Sequence, residues 1–105
     1  MVKAAAMRKR YVLFELGAAE PAEEELLKRA LYAEALRFFG ELGMSNAAFK
    51  LVEFDPKTKR GIIRCERSYL EKVLGFLALL GSLDAKPARV RSLKSSGTIA
   101  ALRRA

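Results

Sequence analysis

Apolar and polar residues alternate along the first part of the chain and then change period. Arg10 to Leu16 (RYVLFEL) is rich in aromatic and β-branched residues and predicts a strand over residues 9–16, ended by Gly17. Pro21 followed by Glu23, Glu24 and Glu25 marks a helix start, because proline suits the first turn and carboxylates oppose the positive end of the helix dipole. Leu27, Leu31, Ala35, Phe38 and Leu42 then recur at helical spacing, which predicts one buried stripe running to a stop at Gly43.

The second half repeats the strand and helix signals. Phe49 to Phe54 (FKLVEF) predicts a second strand, Asp55 to Lys59 (DPKTK) a turn, and residues 61–65 (GIIRC) a third strand, so the three form a hairpin. Ser68 with Glu71 matches a capping box, and Leu70, Val73, Leu77 and Leu80 form the inward stripe of a second helix that ends at Gly81. A fourth strand is predicted over 87–94. Ser95, Ser96 and Gly97 then turn the chain into a short helix over 98–104, with Ile99 and Leu102 spaced to dock it on the domain. Arg89 and Arg91 share one strand face opposite Val90. Leu93 breaks that alternation, so a bulge or a covering element is expected there.

The order β-α-β-β-α-β with a terminal helical turn is that of a ferredoxin-like, RNA-recognition-motif-like αβ sandwich, with two helices on one face of a four-stranded antiparallel sheet. At 105 residues and 51% hydrophobic content, residues 1–105 read as one domain. The alternation leaves neither face of strands one and two cleanly polar. Tyr11, Leu13, Phe49 and Leu51 are therefore the expected protein interface, covered by the terminal helix, by a second copy or by another protein.

Charge narrows the function. The formal net charge is +8, and it is segregated: residues 57–105 carry 12 basic and 3 acidic side chains, against 8 and 9 in residues 1–56. A domain with this imbalance suits a polyanion, nucleic acid first. Candidate RNA-binding residues are Arg8, Lys9 and Arg10 entering the first strand, Lys59 and Arg60 at the hairpin tip, Arg64 and Arg67 around the third strand, Arg89, Arg91 and Lys94 on the fourth, and Arg103 and Arg104 at the end. Base stacking of the RNA-recognition-motif kind is not expected, because Ile62, Ile63, Arg64 and Cys65 stand where that motif's third strand carries aromatics.

Enzyme chemistry finds little material. With no histidine, neither a Ser-His-Asp nor a Cys-His pair can form, and no Cys/His zinc cluster is possible. Glu20, Glu23, Glu24 and Glu25 are explained by the helix dipole, and Cys65, the single cysteine, reads as a small core residue. No catalytic residue, metal site or protein-bound cofactor is expected. No signal peptide or membrane span is read, so the expected location is cytoplasmic.

Three stretches together, KRYVLFEL, GIIRCERSYLEKV and ARVRSLKSSGTIAALRRA, resemble the ribonuclease P protein component 2 family of archaeal and eukaryotic RNase P subunits. That resemblance implies a non-catalytic subunit that supports the catalytic RNA, with its magnesium ions, in removing the 5′ leader from precursor tRNA. The implied partners are the RNase P RNA, precursor tRNA and ribonuclease P protein component 3. Two other classes fit the residues: a protein assembly module whose basic surface matches an acidic partner, and a small-molecule regulatory domain, for which no glycine-rich ligand loop is present.

Overall fold

Side chains on a strand project alternately to opposite faces, and the first strand divides the molecule in this way. In the computed structural model of the chain, which describes residues 8–18 and 23–103, β1 spans Lys9–Ala18. Val12, Phe14 and Leu16 are buried under the helices, whereas Tyr11, Leu13 and Glu15 are half-buried on the opposite face. Gly17 does not end the strand, because Gly17 and Ala18 still pair with Arg89 and Ala88.

The remaining elements are α1 (Glu24–Ala47), β2 (Lys50–Asp55), β3 (Arg60–Glu66), a 3-10 turn (Arg67–Tyr69), α2 (Leu70–Leu79), β4 (Ser82–Leu83), β5 (Lys86–Ser96) and α3 (Ile99–Arg103). The antiparallel sheet runs β2-β3-β1-β5-β4, with β1 central between β3 and the strand predicted at 87–94. This is the ferredoxin-like sandwich, with one strand more than expected. The additional strand, β4, is joined to β5 through Asp84 and Ala85, at φ 54° and 64°. Two consecutive positive φ values make the tight hairpin turn that Asn-Gly usually signals, and here neither residue is glycine.

The helices depart from their predicted outlines at identifiable points. In α1, Leu27, Leu31 and Ala35 are buried as expected. Gly40 then leaves helical geometry at φ 76°, ψ 171°, and the stripe rotates. Phe38, just before the break, sits at the rim of the core, 49% exposed yet with its ring 5.3 Å from that of Phe76; beyond the break Leu42 faces outward, 75% exposed, while Phe39 and Met44 pack on the core. The helix passes Gly43 and closes at Ala48, whose left-handed backbone donates its N–H to the Met44 and Ser45 carbonyls. In α2, Val73, Phe76 and Leu77 are buried and the predicted Leu80 follows them into the core. The expected Ser68–Glu71 capping box does not form, because the 3-10 turn places Ser68 before the helix. The Glu66 carboxylate instead accepts the Ser68 N–H at 2.7 Å and the Ser68 hydroxyl. Those two bonds, the hydroxyl first, hold Glu66 below the usual carboxylate range.

A bulge at Val52 corrects the expected protein interface. The β2–β3 register shifts between Leu51 and Glu53, so Leu51 and Phe54 point to the same, helical face. Phe49 packs edge-on against Tyr32 and Phe76 at 5.9 and 6.0 Å, and the Tyr32 hydroxyl accepts the Leu51 N–H at 3.1 Å. Phe49 and Leu51 are 7% and 3% exposed and thus belong to the core, leaving only Tyr11 and Leu13 of the four on the other face.

The tightest packing lies where β1, β2 and β3 meet. Phe14 and Phe54 both pair in register with Gly61, and their rings stack 6.2 Å apart at 11°. A β-carbon on residue 61 would stand 2.7 Å from both the Glu53 carbonyl oxygen and the Phe14 ring. Gly61→Ala should therefore cost about 1–3 kcal/mol of stability through overpacking, read as a lower urea midpoint. An unchanged midpoint would contradict this packing.

Cys65 is fully buried, as expected of a core residue. Burial, and secondarily the charge of Glu66, pushes its thiol up to about 11. Because the folded value is raised, this group favours the fold at low and neutral pH, and the contribution is lost as pH climbs through the alkaline range toward that value. Iodoacetamide at mildly alkaline pH should label the denatured chain and spare the native one in a mass spectrum, since the thiolate is the nucleophile.

Candidate nucleic-acid interface

The face opposite α1 and α2 is built from residues directly opposed across neighbouring strands, which share a side of the sheet. One row reads Lys50, Arg64, Tyr11, Ser96; the next Glu53, Ile62, Leu13, Lys94; the third Asp55, Arg60, Glu15, Arg91. Arg89, opposite Gly17, extends the basic strand beyond the third row, and Lys9, opposite Glu66, lies beyond the first. Leu93 is the bulged residue of β5, since pairing steps from Ser92 to Lys94. That step keeps Lys94 on the same face as Arg89 and Arg91.

The middle row is covered by α3. Thr98, rather than Ser95 or Ser96, caps it, accepting the Ala101 N–H at 3.2 Å, while Ser96 accepts the Thr98 N–H at 3.2 Å. The helix starts at Ile99 and rests on β5 and β1. Leu102 is 2% exposed, as is Ile62, and both lie outside the main core cluster under the helices. Lys94 Nζ reaches the Ala101 carbonyl at 3.5 Å, and Arg103 forms an ion pair with Glu53 on the edge strand β2. The apolar second face is thus closed in the middle by the chain's own terminal helix, and basic surface remains on either side of it. Arg104 lies outside the described residues.

The predicted cations differ in their surroundings. Arg60 and Arg91 flank Glu15 at 3.8 and 2.8 Å, and Arg103 is held by Glu53, so these three are partly neutralised. Lys59 sits in the β2–β3 turn at φ 61°, half-buried, with Nζ 3.5 Å from the Ala18 carbonyl. Arg64 and Arg89, with Lys50, which carries no assignment from sequence, have no carboxylate partner among the described residues. Arg8, Arg10 and Arg67 gather where β1 begins and β3 ends: the Arg67 N–H donates to the Arg8 carbonyl at 2.6 Å, and Arg10 points toward Gly97. Lys50 belonged to no basic run, and only the β2–β3 register brings it beside Arg64.

Among the described residues, no three Cys, Asp or Glu side chains gather as a metal site. No described helix is long and apolar enough to cross a membrane.

Residues 10–105 match the model of the Rpp14/Pop5 family. Among curated proteins, the chain is 35% identical to ribonuclease P protein component 2 of Pyrococcus abyssi, over 92% of this chain and 82% of that one. It is 37% identical to the protein of the same name from Archaeoglobus fulgidus, over 88% and 82%. Among solved structures, a chain of yeast ribonuclease MRP superposes with a TM-score of 0.70 at 16% identity, covering 91% of this chain and 79% of that chain, which shows a shared fold.

The ion pairs around Glu15 predict how the face meets a polyanion. Glu15→Gln releases Arg60 and Arg91 and should delay elution from heparin to higher salt. Arg89→Ala, removing an unpaired cation, should advance it. Identical elution of the two variants would show that this face does not meet the polyanion.

Proposed function

Because the chain belongs to the Rpp14/Pop5 family, we propose that it is a protein subunit of ribonuclease P and supports the catalytic RNA in removing the 5′ leader from precursor tRNA. The observation that carries this reading is the match to proteins named ribonuclease P protein component 2 over about nine-tenths of the chain. The sheet face supplies a physical role consistent with it. Lys50, Arg64 and Arg89 present cations without counterions among the described residues, so an RNA backbone laid on them exchanges condensed counterions for fixed charges. Neutralising phosphates in this way lowers the repulsion that opposes close packing of RNA helices and substrate.

The chemistry is assigned to the RNA. The chain has no histidine to act as base or nucleophile partner. Magnesium, expected with the RNA, would be ligated there, since the described residues bring no cluster of metal-ligating side chains together. The second protein, component 3, is assigned to the helical layer, where Phe38, Leu42 and Leu79 are 49%, 75% and 76% exposed.

Reconstitution tests the reading. The protein alone should leave precursor tRNA intact, and adding it to the RNA should raise cleavage at low magnesium; sustained cleavage by RNA-free protein would overturn the assignment. Replacing Lys50, Arg64 and Arg89 together by alanine should lower the slope of log affinity against log salt by roughly 2 to 3, at about 0.7–0.9 per lost phosphate contact. Arg103→Ala should change that slope less, because Glu53 already offsets its charge.

A further inference from the structure

The chain has six Phe, three Tyr and no Trp. Eight of those nine rings are engaged with one another on the helical side of the sheet: Phe14 with Phe54, and Tyr32, Phe38, Phe39, Phe49, Tyr69 and Phe76 in one connected group. Tyr11 is the exception. It lies half-buried on the opposite face, and among the described residues it has no ring partner or side-chain hydrogen bond. Its cross-strand neighbour is Arg64, and beyond Arg64 stands Lys50, both without a carboxylate partner among the described residues. On its other side Ser96 leads into the turn before α3. Adjacent strands lie about 5 Å apart, so the row offers a ring, a guanidinium and an ammonium at successive steps.

Resting on the reading of this face as an RNA surface, we infer that Tyr11 is a stacking platform for one unpaired base of a single-stranded RNA segment, with Arg64 and Lys50 holding the adjoining phosphates. An aromatic ring next to unpaired cations is the combination that binds single strands, because every base has a π-face and every linkage a phosphate. In a duplex the bases are stacked on one another and cannot reach the ring, so paired RNA gains only the phosphate contacts. The site reads single-strandedness, not sequence. The third strand carries no aromatic residue, and the ring invoked here comes from the first strand.

The test compares oligouridylate with a blunt RNA duplex, each titrated at one fixed salt concentration against the full chain, Tyr11→Phe and Tyr11→Leu, with circular dichroism confirming folding. Stacking on one ring is worth about 5- to 150-fold in affinity, so Tyr11→Leu should weaken oligouridylate by that factor. Tyr11→Phe should bind as the parent does, and neither change should alter duplex binding. A Tyr11→Leu protein that binds oligouridylate normally, or that loses duplex equally, would overturn the stacking site while leaving phosphate binding in place. Loss of self-association on sedimentation, with RNA binding unchanged, would reassign Tyr11 to a contact between copies. Failure of the parent chain to bind either RNA in a salt-dependent way would overturn the RNA reading itself.

Discussion

The ring of Phe14 occupies the space that a side chain at Gly61 would need, and the arrangement of the sheet depends on that contact. With no β-carbon at 61, Phe14 from the central strand and Phe54 from the edge strand stack across β3 and tie the hairpin to β1. An aromatic over a glycine in a neighbouring strand replaces the cross-strand packing that glycine cannot supply. It also anchors the register. Slipping β3 by one residue would place Ile62 under the ring and turn Arg60 and Arg64 toward the helices, at the cost of burying charge.

From that register follows a division of labour between the faces. The cluster of aromatic rings around Phe76 packs on the helical side of the sheet, and no buried polar or charged residue is found among the described residues. The opposite face gathers cations at spacings of one strand, close enough for like charges to repel. Glu15 between Arg60 and Arg91, and Glu53 against Arg103, offset part of that repulsion. Exposed pairs of this kind contribute little stability each. Their larger effect is to set which cations stay available to an anionic partner.

The terminal helix completes the second face. Five residues are too few for a helix to persist alone, so α3 is held by its contacts: Leu102 on the apolar middle row, Lys94 at one end and Arg103 at the other. It shields Leu13 and Ile62 and leaves Tyr11 beside its entry turn. A small apolar island on a basic surface is thus closed without a second protein, and the exposed apolar side chains are concentrated on the helical layer instead.

Much of this was legible in the sequence because period-two and period-3.6 patterns are local. The strand RYVLFEL, the inward residues Val73, Leu77 and Leu80, the irregularity at Leu93, the docking of Leu102 and the buried state of Cys65 all follow from neighbours a few positions apart. What local pattern could not decide were the places where backbone geometry changes phase. Gly40 rotates the later α1 stripe away from Leu42, the Val52 bulge keeps Leu51 and Phe54 on one face, and Asp84-Ala85 turns a hairpin without the usual residues. Each is a single φ/ψ choice with several allowed values, selected by packing against distant strands rather than by the residue itself. The same holds for the candidate site. Composition and charge determined that a basic surface exists, but only strand register determined that Lys50, Arg64 and Tyr11 form one row, because residues 11, 50 and 64 become neighbours solely through hydrogen bonding of β1, β2 and β3.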